Sequence, residues 1–285
     1  MTESVCRCNR WLVSVKSTCE NEKFENIYRK AVQCLTPMDF NDTAKKQHWE
    51  DVLQCIIGRL LLRHRSRRAE IEFSRTEKGK PYLVNPPDTK FGLSITHQSL
   101  VSTCTSRVGV DFMRLDEERA GKTVDEYINS MAKSASPEEL LIMRSQPTEA
   151  MKMMFYRYWA TGDGIFDDLS RIDFKVDMNN RYRPGCFLTS TTVLVDGKPQ
   201  EQWIFEETFA GGNHAAAVCR EKAAPRCCMF KKDPEAKIFF SKLSLESLLE
   251  HATILNPLPD NASSAYEEFI ERPRKKNELT TFLRC

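Results

Sequence analysis

The chain lacks an excess of charge of either sign. Forty-two Lys and Arg stand against 40 Asp and Glu, a formal net charge of +2 over 285 residues, too balanced for the broad footprint of a dedicated nucleic-acid or polybasic membrane-binding protein. Any anion site must therefore be local. A long hydrophobic run is also missing: the apolar stretch Cys55 to Leu62 is broken by Arg59 and falls far short of the ~20 residues that cross a bilayer. Met1 to Arg10 carries charge and no uninterrupted apolar segment of the secretory kind. The expectation is a protein of the cytosol with neither nucleic acid nor membrane as a partner. The 11 cysteines form no paired CxxC units, and the 5 histidines are not spaced as zinc ligands. Free thiols in a reducing compartment are expected over a disulfide framework.

What is present suffices for folding. With 41% hydrophobic and 29% charged residues, the composition supports two modest cores, and the length suggests two domains of roughly 140 residues. The run Arg10 to Ser17 reads as a first strand. Trp49, Val52, Leu53, Ile56, Ile57, Leu60 and Leu61 repeat on one helical face. Ile71 to Arg75 alternates like a strand, and the Gly and Pro of Arg75-Thr-Glu-Lys-Gly-Lys-Pro81 predict an exposed loop. Phe91 to His97, Leu100 to Thr105 and Arg107 to Met113 read as three neighbouring strands, with Asp111 near the end of the last. Ser136-Pro137-Glu138-Glu139 has the residues of a helix start, and another helix opens after Pro147. From Asp173 to Arg220 strands return: Thr191 to Val195, an Asp196-Gly197 turn, Trp203 to Phe205, and His214 to Cys219. Helices and antiparallel strands occur without a regular βαβ alternation, which predicts an α+β fold. From Ala223 onward the sequence is charged and irregular, ending in the basic Arg272-Pro-Arg-Lys-Lys276, read as a partly ordered tail and not a binding motif.

Three pieces could carry chemistry together. They are the basic loop from Arg75 to Pro81, the pair Ser94-Ile-Thr-His97-Gln98 and Gly109-Val-Asp111-Phe-Met113, and the helix Phe155-Tyr-Arg-Tyr-Trp159-Ala160 leading to Asp163. In this order and spacing they resemble the 4′-phosphopantetheinyl transferases of the long, monomeric class. The resemblance extends more weakly from about Trp11 to the strands near His214. It implies a pseudo-dimer of two similar α+β halves, residues 1–107 and 108–222, followed by a C-terminal extension, 223–285. It also implies coenzyme A and Mg2+ in the cleft between the halves, a monomeric state, and an acyl-carrier or peptidyl-carrier domain as the partner.

The residues can be matched to that chemistry. Phosphoryl transfer needs cationic and hydrogen-bonding groups on the pyrophosphate, a metal for developing charge, and a group that positions or deprotonates the acceptor hydroxyl. By resemblance Arg75, Lys78, Gly79, Lys80, Ser94 and His97 contact coenzyme A; Lys78 and Lys80 supply charge and Gly79 allows close backbone approach. Asp111 matches the first magnesium ligand, and Asp163 matches the catalytic acid, which is also a metal ligand. The expected arrangement brings Asp111 and Asp163 close enough to share one ion.

The second motif departs from the family pattern of tryptophan, two residues, Lys-Glu and, four residues on, a lysine. Here Gly162 and Asp167 replace the two lysines and Asp163 replaces the glutamate, so these places change from +1 to −2. Gly162 and Gly164 each cost ~0.8–1 kcal/mol relative to alanine in a helix, which predicts a loosened turn. Aligning Gly58-Arg59-Leu60 with the family puts Glu50 where an arginine holds a coenzyme A phosphate. These features support a rival reading, a catalytically impaired pseudoenzyme that binds coenzyme A or a carrier protein.

Overall fold

The computed structural model describes residues 9–66, 72–75, 77, 81–85, 92–96, 99–103, 108–114, 123–148, 150, 151, 154, 155, 158, 171–177, 187–210, 214–222, 240–256 and 262–274. The chain divides into two compact units. One comprises Arg10–Thr89, Ile95–Leu100 and Phe240–Cys285, and the other Met1–Asn9, Lys90–Ser94 and Val101–Phe239. Helices dominate the first and antiparallel sheet the second. The fold is α+β, as expected.

In the helical unit, the predicted strand at Arg10 to Ser17 is only half strand: β1 (Asn9–Val13) gives way to α1 (Val15–Cys19). The reason is local. Ser14 is extended and its side chain accepts a hydrogen bond from the Ser17 amide at 3.1 Å, an N-cap that starts a helix where the apolar pattern alone suggested continuation. The helices α2 (Phe24–Gln33) and α3 (Pro37–Ala44) follow, the latter capped by Thr36 and opened by Pro37. The long helix α4 (Trp49–Ser66) matches the predicted stripe: Val52, Leu53, Ile56, Ile57, Leu60 and Leu61 are all buried. Strands β2 (Glu72–Arg75) and β3 (Pro81–Asn85) are antiparallel and pair Arg75 with Pro81, while the loop expected between them lies, apart from Glu77, outside the described residues.

Part of the C-terminal extension belongs to this unit. Strand β13 (Ser241–Leu243) pairs in parallel with β1, and the short α7 (Leu245–Leu249) buries Leu245, Leu248 and Leu249. In α8 (Ala262–Ile270), Phe269 stacks on Tyr28 and on Trp49 with ring centroids 4.3 and 4.8 Å away. The basic stretch beyond it has defined contacts. Arg272 donates to the carbonyls of Ala44 and Lys46 at the end of α3, Pro273 accepts from the Trp49 amide at 3.1 Å, and the Arg274 guanidinium lies 4.4 Å above the Trp49 ring. Charge here serves helix termini and a cation–π contact.

Strands β4 (Gly92–Thr96) and β5 (Ser99–Thr103) are sheet neighbours in the order β13-β1-β5-β4. Strand β6 (Val108–Arg114), expected beside them, instead lies in a second sheet, β6-β12-β11-β8, with β12 (His214–Glu221), β11 (Trp203–Ala210) and β8 (Phe187–Leu188). Adjacency in sequence does not choose a partner when a better-matched apolar strand, here residues 214–221, is available over a long loop. Asp111 is consequently mid-strand, and not near a strand end.

The helices α5 (Val124–Met131) and α6 (Pro137–Arg144) both start with a capping box, Thr123 with Glu126 and Ser136 with Glu139. A 3-10 turn (Ala132–Ser134) lies between them. Helical residues follow Pro147, described at Thr148, Ala150, Met151, Met154, Phe155 and Tyr158. Of these, Met151, Met154, Phe155 and Tyr158 join Ile128, Met143, Trp203, Phe205 and Cys219 in a core that includes Ile172 and Phe174 of β7 (Ile172–Lys175) and Val193 of β9 (Thr192–Val195). Asp196 and Gly197, both at positive φ (50° and 73°), turn β9 back into β10 (Lys198–Pro199), the predicted Asp-Gly hairpin.

Glu139 ties this unit together. Its buried carboxylate accepts from the Ser136 and Phe174 amides, each at 2.9 Å, and so joins α6 to β7. Burial raises its pKa above the ordinary 4.5, against the opposing pull of the two amides. A raised folded-state pKa means that the folded chain holds the proton more tightly. The side chain's contribution is therefore full below the ordinary carboxylate range and declines as pH rises through the folded value. Urea titrations at pH 4 and pH 7.5 should show wild type losing stability relative to Glu139→Gln as pH rises; the opposite trend would mean that the amides outweigh burial. Phe269→Ala, which removes a fully buried ring shared by two helices and the C-terminal segment, should destabilise the protein by about 3–5 kcal/mol in the same assay, whereas a dispensable tail would show almost no change.

Candidate functional site

The described site residues converge on strand β6. Its partner β12 places Ala217 opposite Asp111, and β11 in turn places Glu207 opposite Ala217. Directly opposed residues of antiparallel strands point to the same face, so Asp111, Ala217 and Glu207 form one row. Gly109, Cys219 and Phe205 form the next row on that face, and Phe205 and Cys219 lead into the core around Phe155 and Phe174. The floor beside Asp111 is thus made of small residues, Gly109 and Ala217, while the far side is anchored in packed hydrophobic side chains.

Asp111 is only 5% exposed. A carboxylate is brought this far from water only where hydrogen bonds or positive charge compensate. The backbone around it is held from both edges: β12 pairs along one side of β6, and on β4 the Ser94 hydroxyl accepts from the Val110 amide at 3.2 Å. Ser94 and Asp111, matched separately to coenzyme A and to magnesium, are therefore linked through one residue of backbone. A serine hydroxyl that accepts still has its own proton to donate, so the bond to Val110 does not exhaust Ser94.

Arg75 ends β2, and its side chain lies outside the described residues, as do Lys78, Gly79, Lys80, His97 and Asp163. The altered positions Gly162, Gly164 and Asp167 fall outside them too. Among the described residues, no three His, Cys, Asp or Glu side chains form a group that could hold a metal ion, and no helix is long and apolar enough to cross a membrane.

Glu50, aligned with a phosphate-binding arginine, is 1% exposed in the first turn of α4. Its carboxylate acts inside the helical unit, where it and Arg274 have opposing effects on Cys19. Burial pushes the Cys19 thiol up to about 12, with Arg274 pulling down and Glu50 pushing up, so this cysteine is no nucleophile at neutral pH. Arg59, in the aligned Gly58-Arg59-Leu60, pairs with Asp39 at 2.7 Å, and Arg63 pairs with the same carboxylate at 2.8 Å. Both arginines are engaged within their unit.

The polar residues that sequence reasoning missed are on β11. Glu206 and Glu207 are both buried: Glu206 receives Arg220 at 3.0 Å on one face of the sheet, and Glu207 accepts from the Thr191 hydroxyl on the other. The expected strand at Trp203 to Phe205 stopped just before these acids. Two consecutive carboxylates between Phe205 and Phe209 were the available signal, because a strand buried on both faces admits acids only where each has a use.

A family profile described as "4′-phosphopantetheinyl transferase, N-terminal" matches residues 22–108. The L-aminoadipate-semialdehyde dehydrogenase-phosphopantetheinyl transferase of Mus musculus is 27% identical over 214 residues, 67% of this chain and 69% of that protein. The chain is similar to 4′-phosphopantetheinyl transferases over about two thirds of its length. Similarity reaches beyond animals. A phosphopantetheinyl transferase of Thraustochytrium is 27% identical over 61% of this chain and 67% of its own. The 4′-phosphopantetheinyl transferase pptA of Paxillus involutus is 26% identical over 69% and 82% respectively. The profile match runs from α2 to the start of β6, takes in Ser94 and stops just before Asp111.

Replacing Ser94 with Ala removes the acceptor of the Val110 amide at a buried edge. Ser94→Ala should lower stability by about 1–2 kcal/mol in urea unfolding; no change would mean that the hydroxyl does not brace β6.

Proposed function

We propose that this chain is a magnesium-dependent 4′-phosphopantetheinyl transferase that moves phosphopantetheine from coenzyme A to a serine of an acyl-carrier or peptidyl-carrier domain. The observation that carries the reading is Asp111: a buried carboxylate in mid-strand, braced on both edges and set over a floor of Gly109 and Ala217. Small residues leave room beside the carboxylate, and a hard cation that keeps several waters needs only one or two protein carboxylates alongside substrate phosphates. The donor chemistry therefore fits magnesium, with Asp111 and Asp163 as the residues that would hold it. When bound, the ion neutralises charge developing on the transferring phosphoryl group.

The chain's own residues then divide the work. Arg75, Lys78 and Lys80 grip the phosphates of coenzyme A, with Gly79 admitting close approach. His97 and the free proton of Ser94 donate hydrogen bonds to the cofactor. Asp163 positions the acceptor serine or takes its proton. We read the architecture as a pseudo-dimer of two similar halves working as a monomer in the cytosol. The non-catalytic alternative drew part of its support from Glu50, and the burial of that carboxylate removes it from any surface a solvent-borne phosphate would meet.

Intact mass of an apo carrier protein incubated with the chain, coenzyme A and magnesium tests the proposal. Wild type should add one phosphopantetheine arm, and Asp111→Asn should lower kcat/KM by roughly a hundredfold or more. An unmodified carrier under conditions in which an active relative modifies it would reject the transferase reading.

A further inference from the structure

We infer that Glu207 is a positioning residue for the metal: its carboxylate, in the same cross-strand row as Asp111, draws the divalent ion onto Asp111. The inference rests on the metal-dependent reading of Asp111 above and extends it to a residue on a different strand, nearly 100 positions away in sequence.

Three observations support it. The register runs Asp111 to Ala217 to Glu207, so both acids stand on one face, at a backbone separation of ~9.5 Å given by two inter-strand spacings. Ala217, between them, has a side chain too small to screen one carboxylate from the other. Glu207 is fully buried and its carboxylate is held by the Thr191 hydroxyl from the segment preceding β9, so it is fixed in place and kept from the solvent that would weaken its field. The buried pair Glu206 and Arg220 lies on the opposite face, so two adjacent acids of β11 are turned to different tasks by the alternation of the strand.

The electrostatic consequence follows from sign. Two carboxylates in one row repel each other, the more so in a medium of lower dielectric than water. A divalent ion at Asp111 converts that repulsion into attraction from both sides. Glu207 need not coordinate the ion to do this.

Mn2+ binding by isothermal titration calorimetry in the absence of coenzyme A, on the full chain, tests the inference separately from turnover. Glu207→Gln keeps the shape and an acceptor for Thr191 but removes the charge, and should bind Mn2+ roughly tenfold more weakly. Glu207→Asp, which restores the charge, should stay within about threefold of wild type. A merely structural Glu207 would alter the metal-free melting temperature of the Gln variant and leave its Mn2+ affinity within twofold, an outcome that overturns the inference. Should Glu207→Gln fail to fold, Thr191→Val leaves the charge and removes its anchor; about threefold weaker Mn2+ binding is expected, and unchanged affinity counts against the proposal. If wild type binds no ion, the metal reading of Asp111 and this inference fall together; if wild type binds and Glu207→Gln matches it, only the inference falls.

Discussion

Burial of carboxylates within a sheet is the constraint on which the rest of this molecule turns. A charged side chain in the middle of a strand is tolerated only when the neighbouring strands supply hydrogen bonds, charge or space. Asp111 meets that condition because β6 leaves its sequence neighbours and pairs with β12, which puts Ala217 opposite the acid and lets Ser94 brace the other edge. The same pairing aligns β11, whose alternation sends Glu206 to Arg220 on one face and Glu207 to the Asp111 side on the other. Fold and candidate chemistry thus share one set of backbone bonds.

The helical unit solves a different problem. Its long helix α4 needs cover along an apolar stripe and around Trp49, and the C-terminal residues provide it: Phe269 stacks on both Trp49 and Tyr28, Arg274 lies over the indole, and β13 extends the sheet at β1. Positive charge that looked like a solvated tail is used at the carbonyl end of α3. The burial of Glu50 and the pairing of Arg59 and Arg63 with Asp39 belong to the same economy, in which charged side chains near α4 satisfy one another inside the unit. These side chains hold the unit together.

Much of this was legible in the residues. The stripe from Trp49 to Leu61, the Ser136 capping box, the Asp196-Gly197 hairpin and the α+β class are local patterns, set by side-chain periodicity and by the backbone angles that particular residues accept. The ordered motifs around Arg75, Ser94 and Asp111 were enough to point to the family. The Ser14 cap was missed because an apolar run continues past it, and the contacts of Arg272 and Arg274 were missed because a basic stretch looks alike whether it is solvated or stacked.

Sequence alone determined which segments become helix or strand and which residues are chemically able to hold phosphate or metal, since both follow from individual side chains and their nearest neighbours along the chain. Tertiary structure decided which strand Asp111 pairs with, which acid shares its face, and that Glu50 turns inward. Those outcomes depend on strand register and on packing between segments 100 residues apart, where each partner's free energy is defined only once the other is in place.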